Sequence, residues 1–189
     1  MHDIRIIENV FPKDLQDFFE DYVTQNTFAW FYQKDIATDN HAFDDKNYFP
    51  SSGFTHVALD RGYVNSGHFT TGINLEARVV DLAEAFNVEM ENIIRVKLNL
   101  TTPVPGYQSN NYCSPHTDFE EPHWVFLYYI NDSDGDTIFF NNSTDLEIIK
   151  RVTPKKGTAV LFDGKIYHTQ SNPITSASRI NMNVNVFLK

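Results

Sequence analysis

Polar and apolar residues alternate with a period of two along much of the second half of the chain, which is the pattern of β-strands. In residues 93–101, Val96, Leu98 and Leu100 alternate with charged and polar side chains. Similar runs, rich in aromatic and β-branched residues, stand between turn-forming residues and predict strands at 123–131, 136–140, 147–152, 157–162 and 179–187. Short strands at such close spacing are typical of a sandwich or barrel, and here they predict a jelly roll.

The first half of the chain shows helical periodicity. After a short strand at 4–7, Pro12 opens a helix whose apolar residues recur at helical spacing, and a second helix is predicted over 75–86. The polar and aromatic stretch 33–73 contains one predicted strand, at 54–59, and is interpreted as a lid or as an irregular surface excursion. The predicted fold class is mainly β with flanking helices (α+β). Its core is a double-stranded β-helix, the cupin-like jelly roll, with the N-terminal helices packed outside.

The last predicted strand has two chemically different faces. Apolar side chains alternate along it with Arg179, Asn181, Asn183 and Asn185. If the polar face points inward, it lines a polar cavity; if it points outward, it carries no functional meaning. The pattern alone does not decide between these two orientations.

Composition limits the classes of function. The 189 residues fit a single domain, with the N-terminal strand and helices in 1–92 and the jelly-roll core in 93–189. The formal net charge of −10 disfavours general nucleic-acid binding. One cysteine excludes an internal disulfide, and the N-terminus has neither a signal peptide nor a membrane span. We therefore expect a soluble, cytoplasmic protein without membrane contacts.

The strongest candidate for chemistry is the segment His116-Thr117-Asp118. On an extended chain, residues two apart point to the same side, so His116 and Asp118 can meet one cation. His168 follows the predicted strand at 157–162 after a short turn and is the candidate third ligand. Two histidines and one carboxylate form the facial triad of non-haem Fe(II) oxygenases, which leaves three coordination positions open. Zinc also accepts these ligands, with water in the fourth position.

Arg179 supplies the context that separates these alternatives. It lies 11 residues beyond His168, at the start of the last predicted strand. Its guanidinium group is a planar fork suited to a carboxylate, and no acidic residue lies nearby in the sequence. A dicarboxylic co-substrate would provide the anion.

With these residues in place, the chain resembles the 2-oxoglutarate- and Fe(II)-dependent dioxygenases, in particular their prolyl 4-hydroxylase-like branch. The matching stretches are SPHTD (114–118), LYYIN (127–131), DGDTIF (134–139), PKKGTAVLF (154–162), the run from His168 to Pro173, and RINMNV (179–184). The first residues, IRIIENVFPKDLQDFFEDYV, also look like the start of such domains. The resemblance departs at Gly135-Asp136, where the family often has two glycines, and in the unusually long segment 101–115.

The resemblance implies a role for each matching residue. His116, Asp118 and His168 would bind Fe(II), while Arg179 and Tyr129 would hold the distal carboxylate of 2-oxoglutarate. The other expected participants are O₂ and, as a stimulant, ascorbate. Asn181 shares the face of Arg179 and is expected to line the same pocket, and Tyr107 and Tyr112 are candidates for substrate contact. Retention of the Asp118 carboxylate favours hydroxylation over halogenation.

The resemblance favours a prolyl residue of a peptide or protein as the hydroxylated substrate. Two alternatives stay open. One is oxygenation of a free amino acid, another small molecule or an alkylated nucleobase; the other is a jelly-roll module that binds metal without catalysis. Cys113 is not expected to be a metal ligand. The remaining histidines are interpreted as surface or hydrogen-bonded residues: His2, His41, His56, His68 and His123. Of these, His123 is also a candidate neighbour of the site.

Overall fold

The computed structural model describes residues 3–36, 46–65, 67 and 72–189. In this part of the chain the fold is mainly β, with two antiparallel sheets and two helices. The strands are β1 (Ile4–Ile7), β2 (Phe31–Gln33), β3 (Gly53–Asp60), β4 (Tyr63–Val64), β5 (Met90–Thr101), β6 (Trp124–Tyr129), β7 (Thr137–Phe140), β8 (Ile148–Val152), β9 (Ala159–Asp163), β10 (His168–Gln170) and β11 (Arg179–Leu188). The helices are α1 (Lys13–Thr24) and α2 (Leu75–Ala85).

The larger sheet has eight strands and contains the longest ones near its centre. Its strand order is β1-β9-β6-β11-β5-β3-β2, with β4 paired to β3, and the smaller sheet has the order β10-β7-β8. The small sheet thus takes its strands from the second half of the chain, where β7, β8 and β10 alternate with β9 and β11 of the large sheet. This antiparallel architecture is consistent with the predicted jelly roll.

One face of the large sheet carries the main apolar core. Phe19 and Val23 of α1 and Val79 and Leu82 of α2 are fully buried in one cluster with strand residues. The strand contribution comes from alternate positions of β5, β6, β9 and β11. Burial of this surface is the main favourable term in folding, and it fixes which face of each strand points toward the helices.

The opposite face of β11 is polar and is also buried. Arg179, Asn181, Asn183 and Asn185 are each no more than 6% exposed, although they point away from the apolar cluster. The structure therefore answers the question that the sequence pattern left open, because the polar face of this strand points inward. Polar groups buried in this way need partners or a ligand.

Part of the stretch 33–73 is ordered into the large sheet. The strand predicted at 54–59 is β3, with β2 on one side and β5 on the other. Positions 37–45, 66 and 68–71 lie outside the described residues, as do His2, His41 and His68, so the lid interpretation stays a prediction. Among the described residues, no helix combines the length and the apolar character needed to span a bilayer.

Candidate active site

His116 and His168, the first residue of β10, face each other across an isolated antiparallel bridge. The backbone N–H of His116 donates to the carbonyl of His168 at 2.9 Å, and the reciprocal bond is 3.0 Å. Directly opposed residues of an antiparallel pair project their side chains to the same side. The two imidazole rings consequently lie with their centroids 4.9 Å apart.

Asp118 joins this pair as the sequence predicted. One ligand atom from each of His116, Asp118 and His168 lies within 4.8 Å of the other two. Burial opposes ionisation of Asp118, but the nearby imidazoles and cationic side chains outweigh it and hold the pKa of the carboxyl group well below its usual range. The group is therefore a carboxylate at neutral pH.

The hydrogen bonds around the three side chains leave room for one metal ion. Nδ1 of His116 lies 3.0 Å from the carbonyl oxygen of Ser114, and Nδ1 of His168 lies 2.9 Å from that of Ile166. Such bonds fix the tautomer in which Nδ1 is protonated and Nε2 can bind metal. Burial, reinforced by the charge of the neighbouring imidazole, lowers the pKa of His168 to about 4, which keeps the ring neutral as a ligand must be.

The carboxylate oxygens of Asp118 are held by three donors. Oδ1 accepts a bond from Arg95 at 3.0 Å, and Oδ2 accepts bonds from the amides of Asn183 and Asn185 at 3.0 and 2.8 Å. A carboxylate has about four lone-pair sites, so one remains for a cation. The donor set of two imidazoles and a carboxylate fits a divalent transition metal.

Arg179 lies in the same pocket, almost fully buried, with all three guanidinium nitrogens bonded to neutral acceptors. Nε donates to the carbonyl of Gly135 at 2.8 Å, Nη1 to Gln170 at 2.7 Å and Nη2 to the hydroxyl of Thr137 at 2.8 Å. No carboxylate among the described residues pairs with it. A buried guanidinium without a counter-charge is poised for an anionic ligand.

Tyr129 reaches the same position from β6. Its hydroxyl donates to Thr137 at 2.7 Å, and the guanidinium carbon of Arg179 lies 5.8 Å from its ring centre. Burial raises the pKa of Tyr129 to about 12, so the hydroxyl is a neutral donor at physiological pH. The two residues predicted to hold the distal carboxylate therefore converge on Thr137, a residue that the sequence analysis did not single out.

A glycine allows Arg179 to approach the turn before β7. A Cβ atom at Gly135 would lie 2.6 Å from the backbone oxygen of Ser171 and 3.0 Å from Cδ of Arg179. No larger residue fits there without moving the backbone. The family's second glycine is replaced by Asp136, whose carboxylate accepts a bond from Thr153 at 2.8 Å on the exposed side of the turn.

The pocket that contains these groups has a polar wall formed by β5 and β11. Asn181 lines it as predicted and accepts a bond from Asn99 at 3.1 Å. The pocket is also lined by Lys97, Asn99 and Asn183, for which the sequence predicted no individual role. Polar and apolar residues alternate along both β5 and β11 in the sequence. Only the pairing register of the two strands, which places Asn183 opposite Lys97, shows that their polar residues form one wall.

Tyr107 and Tyr112, the candidates for substrate contact, do not line the described pocket, so that role stays a prediction. Tyr112 is buried with its ring centre 5.4 Å from that of Phe140, in a separate apolar cluster. Tyr107 is also buried, and neither residue lines the pocket, whereas Cys113 does. Proximity in sequence to the metal-binding segment therefore does not place these rings in the pocket lining.

The other two described histidines are hydrogen-bonded, as expected. Nδ1 of His56 lies 2.7 Å from the carbonyl oxygen of Ala29, and Nδ1 of His123 lies 2.8 Å from that of Glu121. Both are buried, and neither lines the pocket that contains the three candidate ligands.

Comparison with solved structures identifies the fold. No family model matches the sequence, and no curated protein matches it. Among solved structures, a 2-oxoglutarate-Fe(II) oxygenase family oxidoreductase from Burkholderia pseudomallei is 14% identical, with a TM-score of 0.68 over 97% of this chain and 84% of that one. The prolyl-4-hydroxylase of Pseudomonas putida is 12% identical, with a TM-score of 0.62 over 100% of this chain and 94% of that one.

A third similar structure carries a different activity. The non-haem α-ketoglutarate-dependent epimerase SnoN, from nogalamycin biosynthesis, is 11% identical and has a TM-score of 0.63 over 98% of this chain and 78% of its own. Identities this low establish the fold alone. The resemblance seen in the sequence is confirmed at that level: the chain has the fold of the 2-oxoglutarate- and Fe(II)-dependent oxygenases, including the prolyl 4-hydroxylases.

Proposed function

We propose that this protein is an Fe(II)- and 2-oxoglutarate-dependent oxygenase that hydroxylates an unactivated C–H bond. One observation carries the proposal. A two-histidine, one-carboxylate cluster lines the same pocket as a buried arginine that pairs with no carboxylate of the described residues. The first fits the metal and the second fits the far end of a dicarboxylic co-substrate, as this fold's oxygenases require.

His116, Asp118 and His168 would hold Fe(II) from one side. Bound together, the metal, 2-oxoglutarate and O₂ supply an oxidant strong enough to break a C–H bond. The protein's task is to present neutral Nε2 atoms and an ionised carboxylate at a fixed geometry. The backbone acceptors at Nδ1 and the three donors on Asp118 do this before any ligand arrives.

Arg179 would hold the distal carboxylate of 2-oxoglutarate, assisted by the hydroxyls of Thr137 and Tyr129. The guanidinium group is surrounded by neutral acceptors in a poorly solvated site, where a carboxylate gains more from a fixed cation than it does in water. Leu127 of β6 and Phe162 of β9 form an apolar part of the pocket lining and would exclude water from the bound co-substrate. Ascorbate would keep the metal ferrous.

The shared fold does not determine which class of substrate this protein hydroxylates. Hydroxylation of a prolyl residue in a peptide or protein is the first class to test, because a prolyl-4-hydroxylase shares the fold over nearly the whole of both chains. Small molecules are the second class, since a biosynthetic epimerase shares the fold as well. A common fold does not carry a common substrate.

The experiment is 2-oxoglutarate turnover with Fe(II) and ascorbate, measured as succinate release. His116→Ala and Asp118→Ala should each abolish release, and Asp21→Ala, which removes an exposed carboxylate on α1, should leave it unchanged. Unaltered release in both ligand variants would refute the assignment. Absence of release from the metal-loaded wild type would favour the non-catalytic module instead. A mass gain of one oxygen on prolyl peptides, or on small molecules, then identifies the substrate class.

A further inference from the structure

Lys97 is a cation in the pocket, and the proposed reaction gives this residue no role. It lies on β5, on the same face as Arg95 and Asn99, and it lines the pocket. Within the described ranges, its ammonium group donates no hydrogen bond and pairs with no carboxylate. Burial, with the charge of Arg95 second, lowers the pKa of Lys97, whereas Asp118 opposes that shift.

The position of Lys97 separates it from the co-substrate end of the pocket. In the β5–β11 ladder, Arg179 pairs with Thr101 and Asn183 pairs with Lys97. The two rungs are four residues apart, which is roughly 13 Å along the strand. Asn183 also donates to Asp118, so Lys97 belongs to the metal end of the pocket and Arg179 to the opposite end.

The neighbour of Lys97 also has an unused polar atom. Oδ1 of Asn183 is buried and accepts no hydrogen bond from the residues that the structure describes, although Nδ2 of the same amide is bonded to Asp118. A buried acceptor left open is costly, and it points to a donor that the ligand provides. A cation and an open acceptor thus stand side by side next to the candidate metal site.

The charges of the loaded site leave room for another anion. Asp118 is the one carboxylate among the described residues that line the pocket. Fe(II) and the two lining cations, Lys97 and Arg179, would together carry four positive charges, while Asp118 and 2-oxoglutarate would together carry three negative charges. A poorly solvated pocket with such an excess favours an anionic substrate over a neutral one.

We propose that Lys97 binds a carboxylate of the primary substrate, so that the substrate is a small carboxylic acid of the free α-amino acid class and not an internal residue of a peptide. The α-amino group is the N–H donor that the open oxygen of Asn183 would accept. This inference rests on the proposed function, and it selects among the substrate classes that the fold leaves open.

Calorimetry on protein loaded with Mn(II) and 2-oxoglutarate tests the inference without turnover. The probes are the free L-α-amino acids, each paired with its carboxamide, which keeps the amine and removes the negative charge. We expect at least one acid to bind at least about tenfold more tightly than its amide. Lys97→Met should remove that preference, weakening the acid about tenfold while leaving the amide within about twofold.

The controls separate the alternatives. Lys155→Met, which removes an exposed lysine that does not line the pocket, should retain the preference. Lys97→Gln is the second variant if Lys97→Met does not fold, and the acid–amide comparison on the wild type needs no variant. Equal binding of acids and amides, no binding by any acid, or a loss of 2-oxoglutarate affinity in Lys97→Met as large as the loss for the acid would overturn the proposal.

The two proposals fail in different ways. If the wild type binds no 2-oxoglutarate with Mn(II) and releases no succinate with Fe(II), the proposed function fails. If both are retained but the acid preference is absent, the proposed function stands and the assignment of Lys97 is wrong. Succinate release stimulated by prolyl peptides, and not by any free amino acid, gives that second result.

Discussion

Arg95 donates a hydrogen bond from Nη2 to Oδ1 of Asp118 at 3.0 Å, while its Nε donates to Asn185 at 3.2 Å. The guanidinium group also lies 4.5 Å from the ring centre of Phe119, the residue that follows Asp118 in the chain. Arg95 therefore orients the Asp118 carboxylate directly and also through Asn185, which donates to the same carboxylate. Arg95 is not itself one of the candidate metal ligands. Groups that orient a metal ligand in this way control metal affinity.

We expect Arg95→Met to weaken metal binding by about 10- to 100-fold, because Asp118 loses its charged donor and its fixed rotamer. Titration with Mn(II), followed by electron paramagnetic resonance, measures the change. Arg61→Met is the matched control, since Arg61 also lies over Phe119, at 5.6 Å, and its ion pair among the described residues is with the exposed Glu121 and not with Asp118. Equal weakening in the two variants would show that Arg95 acts through Phe119 and not through the carboxylate.

Arg179→Met should weaken 2-oxoglutarate binding by at least about thirtyfold, because truncation of a buried charged partner costs at least about 2 kcal/mol. Metal affinity should change little, since none of the bonds of Arg179 involves the three candidate ligands. Calorimetric titration of the Mn(II)-loaded variant with 2-oxoglutarate checks the first expectation, and Mn(II) titration checks the second. Similar losses for metal and co-substrate would argue against the assigned role of Arg179.

The stability of the metal-free protein should fall as the pH is lowered from 6.5 toward 4. The pKa of His168 is about 4 in the folded protein and close to 6.5 when the chain is unfolded, because burial disfavours its charged form. Between these values the unfolded state binds more protons, so acid favours unfolding, by roughly 3 kcal/mol across the window.

Urea unfolding at pH 7 and at pH 4.5 measures this dependence. Other groups titrate over the same range, so the relevant quantity is the difference between the wild type and His168→Gln. The variant should lose less stability on acidification, since it lacks the buried imidazole. An identical pH dependence in both proteins would mean that His168 does not titrate as its burial requires.

Cys113 should be inert in the folded protein. Burial raises the pKa of the Cys113 thiol to about 11, and its Sγ lies 3.4 Å from the side-chain oxygen of Asn172. A disulfide reagent such as 5,5′-dithiobis(2-nitrobenzoate) reacts with the thiolate, so at pH 8 the native protein should react only as fast as it opens. In urea the single cysteine should react at once. Immediate reaction of the native protein would contradict the burial of this thiol.

The candidate metal ligands could be predicted because their convergence depends on local geometry. His116 and Asp118 share one side of an extended segment, and His168 follows a predicted strand after a short turn. Arg179 could be found in the same way, from its place at the start of β11. These residues needed only the strand pattern and a resemblance to be selected, and the structure brings them into one pocket.

Lys97 and Asn183 could not be selected from the sequence, because their relationship depends on a pairing register between strands far apart in the chain. A slip of one residue would turn every polar side chain of β5 or β11 toward the helices. The burial of Phe19 and Val79 against those strands fixes the register, and those contacts are long-range. Tyr112 lies near the metal-binding segment in sequence but is buried outside the pocket lining, so its predicted contact with substrate stays a prediction.

The two faces of β11 have different roles, because residues of the apolar core alternate along this strand with polar residues of the pocket side. Even-numbered positions from Ile180 to Val186 complete the core, and odd-numbered positions from Arg179 to Asn185 serve the pocket. Mutation can therefore exchange one asparagine for another side chain without removing a single methyl group from the hydrophobic interior. A strand built in this way lets ligand preference diverge among descendants of one ancestor while the scaffold that supports it is inherited intact.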